Sequence, residues 1–157
     1  MDWEDFASQA KSLSHVSAAF PCFHWQWHEA ASPCGYLSLH TTRMSQLSPI
    51  QLSLSVCYSP AYTLPVLYFR ACDLSGSPLA LEQVLSAAAI ETDGELRWGL
   101  ASPLEHPVTG EPYYCLHPCQ SAVLLTGQSE LLAWLTSVLP IVQVRFPLLL
   151  ASLLMSK

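Results

Sequence analysis

The sequence predicts an α+β domain in which one antiparallel sheet of about four strands is flanked by helices. Three observations carry this. Apolar residues open the chain at helical steps, a run of alternating segments broken by turn residues follows, and helical periodicity returns downstream. At 157 residues the whole chain, 1–157, suits a single domain. A domain of this size buries roughly two thirds of its unfolded surface and needs no staple to fold. Hydrophobic residues make up 51% and charged residues 11%, which excludes a disordered chain. The formal net charge of −6 is the wrong sign for a phosphate-binding surface, so nucleic acid is not an expected partner. A surface so poor in charge is expected to carry apolar patches that other proteins cover.

Trp3, Phe6, Ala10 and Leu13 recur at three- and four-residue steps, which predicts a short amphipathic helix over 3–16. From Phe20 the period changes. Phe23, Trp25 and Trp27 alternate with Cys22, His24, Gln26 and His28, as in a strand with one aromatic face. Ser32-Pro33-Cys34-Gly35 is a turn before a second strand at Tyr36 to Thr42. Ile50, Leu52, Leu54, Val56 and Tyr58 mark a half-buried third strand. Leu64 to Ala71 is apolar on both faces apart from Arg70, as a central strand should be, and Ser59 to Leu64 closes a hairpin between the two. Pro78 suits the first turn of a helix that includes Leu79, Glu82, Val84 and Leu85, continues into Ala87-Ala88-Ala89 and ends before Asp93-Gly94. A polar, proline-bearing stretch runs to Pro112, followed by a short strand at Tyr113 to Leu116. Ser129 is the expected N-cap of a last helix, through Leu131, Leu132, Trp134, Leu135 and Val138, that Pro140 stops. The sequence shows no internal repeat and no heptads.

Met1-Asp2-Trp3-Glu4-Asp5 is acidic and lacks the basic-then-apolar layout of a signal peptide. The longest apolar-rich stretch, Leu131 to Met155, is interrupted by Pro140, Gln143, Arg145 and Pro147. Its clean remainder, Leu148 to Met155, falls far short of the ~20 residues of a membrane helix. A soluble, cytoplasmic protein without stable membrane insertion is the expectation, with its six cysteines mostly reduced thiols.

The strongest candidate for chemistry is His117-Pro118-Cys119, directly after a strand. Pro118 fixes its own φ and favours an extended His117, so the loop starts pre-ordered. A thiol there is a nucleophile if it ionises readily, which needs a positive neighbour or backbone N–H groups, and His117 is one such neighbour. The competing reading is a buried strand-end cysteine. Other groups are weaker. Cys22, His24, His28 and Cys34 are zinc-ligand types, but their spacing lacks the tight cysteine pair of zinc fingers, so neither a metal nor another cofactor is expected. His106 before Pro107 is read as a loop residue with a structural hydrogen bond, and otherwise as a second basic group near the site. Trp3, Trp25, Trp27, Trp98 and Trp134 read as core, and Glu29, Glu91, Asp93, Glu95 and Glu105 as solvated charge.

The motif also makes the chain recognisable. Leu64-Pro65-Val66-Leu67-Tyr68-Phe69-Arg70-Ala71 with Gly76-Ser77-Pro78-Leu79 forms one block. Glu105-His106-Pro107 with Gly110-Glu111-Pro112-Tyr113-Tyr114-Cys115-Leu116-His117-Pro118-Cys119 forms a second, and Trp134-Leu135 with Pro140-Ile141-Val142 a third. With the Trp25-Gln26-Trp27 strand, these resemble the autophagy ubiquitin-like-conjugating enzymes, in the family's order and over most of the chain. The resemblance implies a ubiquitin-conjugating-enzyme-like core. It also implies that Cys119 accepts a ubiquitin-like modifier, autophagy-related protein 12, as a thioester from its activating enzyme, autophagy-related protein 7. The modifier would then pass to a lysine of autophagy-related protein 5.

Thiol exchange between thioesters is nearly balanced in energy, so such an enzyme must chiefly position and ionise its sulfur. Aminolysis of the thioester further needs a donor for the tetrahedral oxyanion. Ordinary ubiquitin-conjugating enzymes use an asparagine, and this chain contains none. A backbone N–H of the loop, a tyrosine hydroxyl (Tyr58 and Tyr62 lie in the hairpin) or His117 remain as donors. Tyr62 is also a candidate anchor for the target. Two other readings are a Cys-His hydrolase with His106 or His117 as base, and a non-catalytic adaptor, which has no need of the thiol.

Overall fold

The computed structural model describes residues 1–30, 34–45, 48–86, 100–117 and 131–156. Helix α1 spans Trp3–Ser17. It starts where the Asp2 carboxylate accepts the Asp5 N–H at 2.8 Å, capping an otherwise unpaired donor. Its buried stripe is Phe6, Ala10, Leu13 and Ser17. The aromatic segment that follows is less regular than its alternation predicts. Pro21 opens a 3₁₀ turn at Pro21–Phe23, and strand β1 is confined to Gln26–His28. Phe23 and Trp25 are nevertheless buried, so the aromatic content reaches the core without a full strand.

Strands β2 (Tyr36–Met44), β3 (Pro49–Ser59) and β4 (Leu64–Cys72) form a meander. Strands β5 (Ala101–Glu105) and β6 (Pro112–Leu116) complete the sheet. It has six strands in the order β1-β2-β3-β4-β6-β5, every neighbouring pair antiparallel, rather than about four. The short strand expected at Tyr113 to Leu116 joins the sheet as β6, and the strand with no counterpart in the sequence reading is β5. Its Ala101-Ser102-Pro103-Leu104-Glu105 has no β-branched residue, and Pro103 is admitted because β5 is an edge strand. Strand β4 is the central strand expected from its two apolar faces.

The helix expected from Leu79 into Ala87-Ala88-Ala89 is a single turn, α2 (Leu81–Val84). Leu85 is already extended and the Ser86 N–H donates to Ile141 O at 2.8 Å. The Gln143 amide donates to Val84 O and Leu85 O, and the Arg43 guanidinium to Val84 O, so side chains from elsewhere supply the donors that end α2. The alanines and Asp93-Gly94 lie outside the described residues. Helix α3 (Leu131–Val138) passes at Pro140 into a 3₁₀ turn, Leu139–Val142. Its expected cap, Ser129, is outside the described residues, while Gln9 of α1 accepts the Leu131 N–H at 2.8 Å. Helix α4 (Leu148–Met155), not expected from the sequence, buries Leu150 but exposes Leu148, Leu149 and Met155. Among the described residues no helix is long and apolar enough to cross a membrane.

The main core joins one sheet face to the helices: Leu37, Leu39, Leu52, Leu54, Val56, Leu67 and Phe69 pack with Phe6, Trp25, Trp134, Leu135 and Leu150. On the opposite face lies a smaller cluster of Cys57, Leu64, Val66, Tyr68 and Cys115, with Tyr36 and Tyr113 against it. His106 covers part of this second face.

Candidate active site

Strand β6 delivers the candidate loop. Leu116 is buried at its end, and the His117 N–H donates to Leu100 O at 2.8 Å, so pairing with the β5 side continues one residue beyond the strand. His117 itself is half-buried. Pro118 and Cys119 lie outside the described residues. The structure therefore places the root of the candidate loop and no more of it.

The thiols around that root differ sharply. Cys115, on β6, and Cys57, on β3, are buried beneath the second cluster. Burial pushes the Cys57 thiol up to about 12 and the Cys115 thiol up to about 11. Both stay protonated at neutral pH and neither is a nucleophile. Cys22 and Cys34 are exposed, and Cys72 is half-buried with its thiol 3.6 Å from Gln51 Oε1.

His106 is only 2% exposed. Its Nδ1 accepts the N–H groups of Val108 and Thr109, each at 3.2 Å. That places the ring proton on Nε2, which donates to Ser55 Oγ at 2.8 Å, and the Ser55 hydroxyl donates onward to Leu37 O at 3.0 Å. The Cys57 sulfur lies 3.5 Å from the same nitrogen. This has the spacing of a Cys-His dyad, yet the buried thiol has no tendency to ionise. Tyr36, Tyr68 and Tyr113 surround the imidazole, with ring centroids 4.8, 5.4 and 5.4 Å away. Burial holds its pKa below the ordinary value of a histidine; Glu111 opposes this, and Arg70 and His28 add to it. Both ring nitrogens of His106 are engaged and its Nδ1 lone pair is already taken by two N–H groups, so its structural role holds and it has no free lone pair with which to act as a second basic group. That also removes it as the base of a hydrolase.

The tyrosines of the hairpin separate. Tyr58 turns inward, its hydroxyl donating to Met1 O at 3.1 Å and its ring against Phe6 at 5.8 Å, which leaves it no oxyanion to serve. Tyr62 is 57% exposed at the hairpin tip, where Thr63 adopts a positive φ of 52° to close the turn. Of the zinc-type residues, His28 is engaged elsewhere through its side chain, and Cys22 and Cys34 are exposed free thiols. His28 Nε2 is 2.7 Å from Ser38 Oγ and its ring stacks on Tyr36, while Cys22 lends its carbonyl to the Thr41 hydroxyl. Among the described residues no three His, Cys, Asp or Glu side chains converge on a metal position. Trp25 and Trp134 are core and Trp3 and Trp27 pack at its margin, whereas Trp98 lies outside the described residues. Glu29 is not merely solvated: it pairs with Lys11 at 3.2 Å and accepts the Trp27 indole N–H at 3.0 Å. Glu105 is exposed, and Glu91, Asp93 and Glu95 are outside the described residues.

The family profile for the active-site domain of autophagocytosis-associated proteins matches residues 26–149, from β1 into α4. The chain belongs to this family. Relatives of this autophagocytosis-associated chain include proteins named ubiquitin-like-conjugating enzyme ATG10. The human one is 31% identical over 115 residues, covering 63% of this chain and 51% of the relative. The one from Pichia angusta is 38% identical over 87 residues, covering 48% and 58%, and the one from Arabidopsis thaliana 31% over 110 residues, covering 59% and 49%. The chain spans about half the length of the curated relatives it matches. A crystal structure titled autophagic E2, Atg10 superposes with a TM-score of 0.53 at 20% identity, over 91% of this chain and 94% of that one. Its fold is thus shared by this autophagocytosis-associated domain: an antiparallel sheet flanked by helices.

Proposed function

We propose that the chain is a ubiquitin-like-conjugating enzyme of autophagy in which Cys119 carries the modifier. The observation that supports this most is the family match over 26–149, which includes His117-Pro118-Cys119 and the strand that leads to it. The relatives' printed name, ubiquitin-like-conjugating enzyme, agrees with that reading.

In the first step the Cys119 thiolate attacks the carbonyl of the modifier's C-terminal thioester on the activating enzyme. A new C–S bond forms and the activating enzyme's thiolate leaves. In the second step a deprotonated lysine amine of the target attacks the same carbonyl. The isopeptide bond forms, the amine gives up a proton, and the Cys119 thiolate departs. The oxyanion between these states takes its hydrogen bonds from backbone N–H groups of the loop, with His117 as a supporting group. The assignment extends to autophagy-related protein 12 as modifier, autophagy-related protein 7 as activating enzyme and autophagy-related protein 5 as target, with Tyr62 at the target contact, in the cytoplasm. The chain itself needs no cofactor for these steps.

The test is a charging reaction with activating enzyme, ATP and modifier. Wild-type protein is expected to give a thiol-labile adduct. Cys119→Ser is expected to give a thiol-resistant ester or none, and a thiol-labile adduct on that variant would refute Cys119 as the carrier.

A further inference from the structure

The strand that leads to the catalytic loop is attached to the sheet by a narrow seam. β3 and β4 pair from Gln51–Cys72 to Ser59–Leu64, whereas β4 and β6 pair only at Tyr68–Cys115 and Phe69–Tyr114. The β5–β6 hairpin is accordingly held in part by side chains. One tie is Arg70, whose guanidinium lies 3.3 Å from Glu111 Oε1 and 4.6 Å from the Tyr113 ring centroid. Arg70 and Glu111 are 38% and 48% exposed, and such a surface pair contributes little by itself. The other tie is buried. His106, in the turn between β5 and β6, gathers the turn's own N–H groups on Nδ1 and reaches across β4 to Ser55 of β3 with Nε2. Ser55 then hands the chain of hydrogen bonds to Leu37 of β2.

We propose that His106 is a positioning residue for the transfer reaction: its neutral imidazole bolts the hairpin that carries His117 and Cys119 to β3 through Ser55, and so fixes the root of the catalytic loop. The inference rests on the thioester reading above and adds a residue that does not touch the reacting atoms. Thioester aminolysis is sensitive to such positioning, since a misplacement of about 1 Å costs on the order of a hundredfold in rate. The bolt works in one protonation state. A proton on Nδ1 would face the two N–H groups that Nδ1 now accepts, and the turn would have to open. The groups facing the ring are Tyr36, Tyr68 and Tyr113, the protonated Cys57 thiol, and the charges of Arg70 and Glu111 with His28 beyond Tyr36. Burial is the leading effect among them and keeps the imidazole neutral to lower pH than a free histidine.

Three variants separate the two ends of the bolt. Ser55→Ala removes the far anchor, His106→Asn keeps an acceptor for the turn without the reach to Ser55, and His106→Gln keeps a donor near the Nε2 position. Discharge of preformed thioester onto the target is expected to slow at least about tenfold in Ser55→Ala and His106→Asn, with the KM for the target unchanged, and to recover in His106→Gln. The double variant Ser55→Ala/His106→Asn should be no slower than its slower parent. The ratio of wild-type to His106→Gln rates cancels the titration of Cys119 and of the lysine. That ratio should fall as pH drops below the ordinary range of a free histidine, because burial moves the protonation of His106 downward. Wild-type discharge in Ser55→Ala, or a ratio that does not change with pH, overturns the proposal. If His106→Asn does not fold, Ser55→Ala decides alone. If wild-type protein takes no modifier at all, the thioester reading fails, and amide exchange then judges the bolt. The His117 N–H should exchange at least about tenfold faster in Ser55→Ala, and unchanged protection overturns the bolt itself.

Discussion

Ser17, at the end of α1, clasps Trp25 ahead of β1. The Trp25 N–H donates to Ser17 Oγ at 3.0 Å, and the same hydroxyl lies 3.4 Å from Trp25 O. Both residues are fully buried, so this short link carries polar atoms through the main core and fixes how helix and sheet edge meet. Ser17→Ala would leave the Trp25 N–H without its partner. It is expected to cost about 1–3 kcal/mol of stability, read as a lower urea midpoint with unchanged m-value. A loss below about 0.3 kcal/mol would mean that another acceptor replaces the hydroxyl.

Stability should also fall in acid for a reason that can be assigned. The folded pKa of His106 is held below its unfolded value of 6.5 by burial, so the unfolded chain binds more protons between the two values. The neutral imidazole's contribution is complete above the unfolded value and is lost as pH falls through the folded one. Wild-type protein is therefore expected to lose more stability than His106→Gln between about pH 7 and about pH 5. His28 is lowered in the same direction, by burial and by His40, and remains present in both proteins. Equal losses in the two proteins would show that His106 is not the group that titrates.

Thiol labelling should divide the cysteines. Cys22 and Cys34 are exposed and should react at once at pH 8. Cys57 and Cys115 should be silent until the protein unfolds, since burial leaves only about one part in a thousand or less of either as thiolate at that pH. Rapid labelling of Cys115 in folded protein would contradict its assignment as a buried, un-ionised thiol.

Tyr62→Ala is expected to leave charging intact and to slow transfer at least about tenfold, as a central aromatic contact does when truncated. Because Tyr62 is exposed and contributes nothing to either core cluster, its stability effect should stay within about 0.5 kcal/mol. Loss of charging and transfer together in folded protein would move Tyr62 to the activating-enzyme contact.

His117→Ala is expected to slow transfer at least about tenfold. A donor role slows discharge of preformed thioester at every pH, whereas a role in tuning the thiolate slows charging most at low pH. Charging and discharge like wild type from about pH 6 to about pH 9 would reduce His117 to a shaping residue.

The strands of the meander were legible because burial on a sheet face imposes period two, and Ile50 to Tyr58 keeps that period without interruption. β5 was not legible, since Ala101-Ser102-Pro103 carries no alternation and its pairing is dictated by β6. The sequence predicts a longer helix than α2 because Ala87-Ala88-Ala89 has high intrinsic propensity, while Leu85 and Ser86 are taken by tertiary partners. His106 was legible as a structural histidine, but its partner was not. Ser55 lies far away in sequence on another strand, and nothing in the sequence distinguishes it from Ser53 on the same face as the one beneath the imidazole. The Gly110 turn, with φ of 70°, was the available hint that the chain doubles back there.

The narrow seam between β4 and β6 also has a kinetic consequence. The β2–β3–β4 meander closes through neighbouring segments, whereas the β5–β6 hairpin must return across the long stretch after Cys72 to find Tyr68 and Phe69. Loop-closure entropy makes that docking the later event. Substitutions in the meander should therefore slow refolding, and substitutions along the seam should mainly hasten unfolding. The part of the domain that leads to the candidate loop would then be the last to arrive and the first to leave.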